Sequence, residues 1–123
     1  MKRKTYAIRL QVVCAVSPDV APIGEQEGGL IEEAFRSAAR HLSCEIVGAS
    51  WGGRWFQLML ATDTAFDVAR AMTSLKAVTS RAVREQRGGK SGFWAPGYVV
   101  VSVGDPVDPE EAAAELSRKA NRN

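Results

Sequence analysis

Two stretches of this chain alternate apolar and polar positions, which is the pattern of a β-strand with one buried face. In Tyr6–Val16, every second residue from Tyr6 onward is apolar, while Arg9 and Gln11 lie between them. In Arg54–Ala61, side-chain alternation gives one fully apolar face and one face that carries an amide, Gln57, between an indole and a thioether. The face of Arg54–Ala61 that carries Gln57 is therefore the candidate site for catalysis or binding.

Periodicity, turn residues and caps predict the other elements. Two further strands are predicted, Cys44–Ala49, joined to Arg54–Ala61 by a Gly-containing hairpin turn, and Tyr98–Val103. Apolar residues at helical spacing predict helices from Leu30 to about His41–Ser43 and from a cap at Thr64 to about Gln86. A third helix is predicted from Asp108, which can cap it, with Pro109 at the first helical position and acidic residues in the first turn. Ser17–Gly29, with two prolines and three glycines, is predicted to be a long loop.

The predicted order is strand, helix, strand, strand, helix, strand, helix. Four strands with two crossover helices make a ferredoxin-like α+β sandwich with a four-stranded antiparallel sheet (βαββαβ) plus a C-terminal helix. A chain of 123 residues, 46% hydrophobic and 24% charged, has room for one such core. We therefore assign residues 1–123 to a single domain, with a frayed tail expected at 120–123.

Positive charge is modest overall but unevenly distributed. The formal net charge is +2 and the pI is about 8.7. Cations cluster at Lys2–Lys4 and again at Arg81, Arg84, Arg87 and Lys90. Such clusters are typical of nucleic-acid-binding surfaces and equally of solvated protein surfaces, so charge alone does not choose between the two.

The basic N-terminus does not continue into a signal peptide. Arg9 and Gln11 interrupt the apolar run, and the longest uninterrupted piece, Val12–Val16, is too short for a secretory or membrane segment. We expect a cytoplasmic protein. Cys14 and Cys44 lie in apolar strand-like segments, where thiols are usually buried and inert, so we expect no disulfide.

Several collinear segments resemble one family. These are CEIVGASWGGRWFQLML, SLKAVTSR and FWAPGYVVVSVGDPVDPEEAAAEL, which begin at Cys44, Ser74 and Phe93. Together they resemble the small single-tyrosine HUH transposases of bacterial insertion sequences and their relatives associated with repetitive palindromes. The resemblance extends from Tyr6 to about Lys119. It implies a dimer that binds single-stranded DNA folded into a hairpin.

The resemblance also implies a catalytic site that is degenerate here. In the family, two histidines and a Gln, Asn or Asp hold a divalent metal, and a tyrosine on the last helix attacks the scissile phosphate. The corresponding positions in this chain are Trp55 and Gln57 for the histidines, Glu115 for the tyrosine and Lys119 for the other metal ligand. An indole cannot bind a metal, and an amide oxygen is a poor replacement for imidazole. We predict no metal, no cofactor and no catalytic residue, and Glu115 and Lys119 are expected to form a helical ion pair.

Binding can persist without catalysis. By the resemblance, the helix that contacts the DNA hairpin carries Lys76, Ser80, Arg81 and Arg84, and cations at this spacing can follow a phosphate backbone. The candidate nucleic-acid-binding residues are Lys76, Ser80, Arg81, Arg84, Arg87, Lys90 and Trp55. The rings of Trp51 and Trp55 could stack on bases, or could pack against a neighbouring helix.

Three other interpretations stay open. An RNA-recognition module has the same order of elements but needs paired aromatic residues that are missing here. A regulatory dimer could act through protein contacts, alone or in a larger assembly. An active nuclease would need a new nucleophile, and for Tyr98, Tyr6 and His41 packing or surface roles are favoured over chemistry.

Overall fold

A computed structural model describes residues 8–89, 92–104 and 106–121, with residues 120 and 121 described by their backbone only. The elements are β1 (Ile8–Ala15), α1 (Glu27–Ala39), β2 (Cys44–Trp51), β3 (Trp55–Thr62), α2 (Val68–Arg87), β4 (Val99–Ser102) and α3 (Pro109–Asn121). This is the predicted order. Tyr6, Lys90 and residues 122–123 lie outside the described residues, as does the basic cluster at Lys2–Lys4.

The four strands form one antiparallel sheet in the order β2-β3-β1-β4. The two central strands, β1 and β3, pair along their full length from Ile8↔Thr62 to Ala15↔Trp55. The predicted hairpin joins β2 to β3, with an irregular register between Ile46 and Gly48. The predicted ferredoxin-like α+β sandwich is thereby confirmed.

Helices α1 and α2 cover one face of the sheet, which we call the front face. Its core contains Phe35 of α1, Leu75 of α2 and the apolar residues Phe56, Leu58 and Leu60 of β3, all 1% exposed or less. The rings of Phe35 and Phe56 have centroids 5.1 Å apart. Burial of these large side chains, at about 25 cal/mol per Å² of apolar surface, is the main force that holds the helices to the sheet.

Helix α3 covers the opposite, back face. Ala113 and Leu116 of α3 form a second core with Val13 and Ala15 of β1. Asp108 caps the helix by accepting a hydrogen bond from the Glu111 backbone N–H at 3.1 Å, and Pro109 occupies the first helical position. The predicted start of this helix is confirmed, and the helix continues to Asn121, into the predicted frayed tail.

The boundaries of other elements differ from prediction. Helix α2 is capped by Asp67 and not by Thr64, because the Asp67 carboxylate accepts the Arg70 backbone N–H at 3.1 Å. Helix α1 begins at Glu27, so the preceding loop is shorter than Ser17–Gly29. Strand β4 is limited to Val99–Ser102. Thr64 and Asp67 both satisfy the local capping rule, and the structure shows the Asp67 cap.

An ion pair ties the loop before α1 to the end of α2. Arg87 donates to both carboxylate oxygens of Glu27, at 2.7 and 2.6 Å, and also to the backbone carbonyls of Ala21 and Pro22. Glu27 is 8% exposed. The hydrogen bonds from Arg87 hold the pKa of the Glu27 carboxyl below its usual range. Two segments that are about 60 residues apart in sequence are joined at this point.

Both cysteines are free and buried, as predicted. Burial raises the pKa of the Cys14 thiol to about 12 and also raises the pKa of Cys44. Both thiols therefore stay protonated at neutral pH and are poor nucleophiles. Within the described ranges, no helix is long and apolar enough to cross a membrane.

Candidate nucleic-acid interface

A network of amide hydrogen bonds occupies the back face of the sheet at Gln57. The Gln57 side-chain oxygen accepts from the Gln11 amide at 2.6 Å, and its nitrogen donates to the Ser50 hydroxyl at 3.2 Å. Ser50 is the residue paired with Gln57 across β2 and β3, and Gln11 lies diagonally opposite on β1. Both ends of the Gln57 amide are therefore engaged with neighbouring strands.

Gln11 connects this network to α3. Its side-chain oxygen accepts from the Val107 backbone N–H at 2.8 Å, and its nitrogen donates to the Val107 carbonyl at 2.8 Å. The side chain is 3% exposed, so these bonds are shielded from water. The segment just before α3 is thus fixed to the strand beside Gln57. Sequence reasoning missed Gln11 because alternation placed it only on the more polar face of β1.

Trp55 lies at the start of β3, where the hairpin turn brings Gly52 against its ring. A Cβ atom at Gly52 would lie 2.3 Å from Trp55 Nε1, so only glycine allows this ring position. The half-buried indole also packs on the back-face core. Trp55 also lines a cavity of about 580 Å³. The other residues around this cavity include Pro18, Arg54, Glu110, Ala113 and Ser117.

Of the two predicted degenerate positions on α3, Glu115 lies in the middle of the helix and Lys119 lies in its last turn. Glu115 forms an ion pair with Arg118, three residues on, which the sequence analysis did not anticipate. Lys119 is exposed, and its pairing with Glu115 stays a prediction. An exposed ion pair within a helix contributes only about 0.3–0.5 kcal/mol.

Part of the polar face of α2 binds the protein's own chain. The Lys76 ammonium donates to the carbonyls of Ala95 at 2.8 Å and Gly97 at 2.9 Å. Burial lowers the pKa of Lys76. The Ser80 hydroxyl accepts from the Phe93 backbone N–H at 3.2 Å. These two predicted binding residues hold the segment that leads into β4, and a role in nucleic-acid binding stays a prediction for them.

Thr79 contributes to the same attachment. Its buried hydroxyl accepts from the Trp94 indole N–H at 2.7 Å and donates to the Leu75 carbonyl at 2.8 Å. The guanidinium of Arg87 lies 5.1 Å from the centre of the Phe93 ring, in addition to its bonds with Glu27. The spacing of three to four residues predicted a shared polar face on α2. The structure shows that part of this face is bonded to residues 93–97 of the same protein.

Arg81 and Arg84 remain accessible on α2. With Glu85, Gly88 and Gly89 they line a shallow surface depression of about 420 Å³. Within the part of the chain that the structure describes, neither guanidinium forms an ion pair. Gly88 ends the helix with a positive φ of 74°, a conformation that favours glycine. These two arginines are the members of the predicted set that are best placed to meet an anionic partner.

Other candidate residues have packing or surface positions. The Trp51 ring stacks on Phe56, with centroids 5.3 Å apart, and lies so close to Gly28 that a Cβ there would be 1.9 Å from it. Tyr98 packs against the front-face core, and His41 is exposed beyond the end of α1. Among the described residues, no three His, Cys, Asp or Glu side chains lie close enough together to hold a metal ion.

Comparison with known structures places the fold among transposases. A provisionally assigned transposase from Deinococcus radiodurans R1 superposes with a TM-score of 0.72 at 16% identity, over 100% of this chain and 98% of that one. A REP-associated tyrosine transposase bound to a REP hairpin gives a TM-score of 0.59 at 10% identity, over 94% and 67%. At these identities the likeness defines the fold alone. A search of curated proteins gave no match.

Sequence comparison gives the family. Residues 4–113 match the family model of IS200-like transposases. This match covers most of the chain, which therefore belongs to the IS200-like transposase family. The matched region includes Trp55 and Gln57 but ends before Glu115 and Lys119. The correspondence of those two α3 residues to the nucleophile and a metal ligand stays a prediction.

Proposed function

We propose that this chain is a catalytically inactive transposase-family protein that dimerises and binds hairpin-forming single-stranded DNA or RNA. The observation that carries the proposal is the state of Gln57. By the resemblance this position corresponds to a metal-binding histidine of the family, and its amide is hydrogen-bonded to Gln11 and Ser50. A neutral amide engaged at both ends is a poor metal ligand.

Accessible cations support retained binding. Arg81 and Arg84 lie on one side of α2 without ion-pair partners in the described ranges. The REP-associated relative of similar fold is bound to a REP hairpin. Two guanidinium groups on a rigid helix can bind phosphates of a folded strand, because guanidinium fits phosphate geometry in a bidentate manner.

Equilibrium binding of a hairpin oligonucleotide and of a linear one, over a salt series, tests the proposal. We expect the hairpin to bind more tightly and both to weaken as salt rises. Arg81→Ala and Arg84→Ala should each lower the slope of log affinity against log salt by about 0.7–0.9 for every phosphate that the variant no longer neutralises. Arg70→Ala is the matched control, because Arg70 is an exposed cation in the first turn of the same helix.

Two results would count against the proposal. If the hairpin does not bind at low salt, or if binding is unaffected by both Arg81→Ala and Arg84→Ala, a role in protein–protein contacts is favoured. Sedimentation velocity tests the dimer separately. A monomer at concentrations where hairpin binding is saturated would remove dimerisation from the proposal.

A further inference from the structure

The cavity beside Trp55 carries both a cation and an anion. Arg54 is held there because its Nη1 donates to the carbonyls of Ser17 at 3.0 Å and Val20 at 2.6 Å. A guanidinium has five N–H donors, so others remain for a ligand. Glu110, in the first turn of α3, contributes a carboxylate to the same cavity. A phosphate that filled this space would be repelled by Glu110.

The rest of the lining suits a flat, largely apolar group. Trp55 provides an aromatic ring, and Pro18, Ala113 and Ala114 provide small apolar surfaces. The Ser117 hydroxyl adds one polar group that can donate or accept. A volume of about 580 Å³ is within the range of small-molecule sites and is ample for one planar heterocycle.

The position of the indole is fixed by the turn. Gly52 lies against Nε1 and Cε2 of Trp55, and its lack of a side chain allows the contact. Packing on the back-face core restrains the ring further. An aromatic ring that is already held in place loses little conformational entropy when a ligand stacks on it.

We propose that this cavity binds one unpaired nucleobase with an exocyclic amino group, from the single-stranded segment beside a hairpin. The base stacks on Trp55, its amino group donates to the Glu110 carboxylate, and the adjoining phosphate lies at Arg54. This inference rests on the proposed function and deepens it. The base would lie beside Trp55, the position that the resemblance assigns to a metal-binding histidine of the family.

Binding of a blunt hairpin and of the same hairpin with a short 3′ or 5′ single-stranded flank tests the inference. We expect a flank that contains cytosine, adenine or guanine, the bases with an exocyclic amino group, to raise affinity about tenfold, which corresponds to about 1.4 kcal/mol. Replacing the flanking bases with abasic sites should remove the gain. A 2-aminopurine in the flank should lose fluorescence on binding, as a stacked base does.

Variants separate the roles of the side chains. Trp55→Ala should abolish the gain from every flank, whereas Trp55→Phe should retain part of it because a ring remains. Glu110→Gln should reduce the preference for cytosine or adenine over thymine, and Glu111→Gln is the matched control because Glu111 does not line the cavity. Thermal melting of each variant checks that the fold is kept.

The outcomes distinguish the two proposals. A blunt hairpin that binds without any gain from the flank, or a gain that survives in Trp55→Ala, overturns the base site and leaves the proposed function standing. If neither oligonucleotide binds, the proposed function fails and the base site fails with it. A flank gain that is abolished in Trp55→Ala and kept in Glu111→Gln supports the inference.

Discussion

Gln57 lies on a central strand of the sheet, and its side-chain amide is hydrogen-bonded to Gln11 and Ser50 on the two neighbouring strands. The residue types at positions 55 and 57 could be read from the sequence, and their poor fit to a metal follows from elementary coordination chemistry. The partners of Gln57 could not be read, because Gln11 lies 46 residues away and only the sheet register brings the two together. The absence of imidazole was visible in the sequence, whereas the network around the amide was not.

For Lys76, the sequence predicted the face of the helix but not the partner that this face contacts. Its helical spacing with Ser80 and Arg84 predicts a common polar face, and the structure shows that face attaching the segment around Ala95. A helical period identifies which side chains share a face but does not identify what that face meets. Nucleic acid and the protein's own backbone carbonyls both attract a cation.

Glu27 should make the fold sensitive to acid. Because Arg87 lowers the folded-state pKa of Glu27, the carboxylate stabilises the protein above its unfolded pKa of about 4.3, and this stability is lost as pH falls through the lower folded pKa. Glu27→Gln should lower the free energy of unfolding by about 2 kcal/mol at pH 7. Urea unfolding at pH 7 and at pH 3 measures both effects.

The difference between Glu27→Gln and the unmodified protein should shrink as pH falls from about 5 to about 3. Glu25→Gln, an exposed residue two positions earlier, should have little effect at either pH. A difference that stays constant over this range would show that Glu27 contributes through packing and not through its charge.

Lys76→Met should lower the free energy of unfolding and should leave the salt dependence of nucleic-acid binding nearly unchanged. The substitution leaves the Ala95 and Gly97 carbonyls without their donor, which costs about 2 kcal/mol of unfolding free energy. Denaturant unfolding gives the stability, and the salt series described for Arg84 gives the binding. An unchanged stability together with a lower salt slope would show that Lys76 serves the nucleic acid instead.

At the scale of elements, α3 is held to the sheet by a core and by one polar clamp. The Asp108–Pro109 start, followed by two acidic residues, made this helix predictable. Its placement was not predictable, because a helix start does not indicate which face of the sheet the helix covers and the clamp through Gln11 depends on tertiary contact. Helix α2 was predicted with the wrong cap because Thr64 and Asp67 both satisfy the local rule.

Gln11→Leu should loosen α3 selectively. The change removes both bonds to Val107 and leaves the Gln57 oxygen without its donor, at a cost of about 2 kcal/mol. Amide hydrogen exchange in α3 should accelerate more than exchange in α2. Gln86→Leu, an exposed glutamine of α2, is the control. Equal acceleration in both helices would show that Gln11 supports the whole fold and not this element.

At the scale of the whole molecule, the chain has the transposase fold and belongs to the IS200-like transposase family, with Trp55 and Gln57 on a central strand of its sheet. The order of elements, the α+β fold class and the family were predictable, because alternation, helical spacing and collinear motifs agree with one another. Dimerisation and hairpin binding remain proposals, since they depend on surfaces that contact other molecules. Catalysis is the property on which this chain should differ most from the family.

The most direct test is a denaturing gel of an end-labelled hairpin incubated with the protein and Mg²⁺ or Mn²⁺, at concentrations where a native gel shows saturated binding. We expect the labelled strand to remain intact and no covalent protein–nucleic acid adduct to form, because positions 55 and 57 offer no imidazole to a metal. A metal-dependent nick, or an adduct that survives denaturation, would contradict the central claim that this fold binds without cutting.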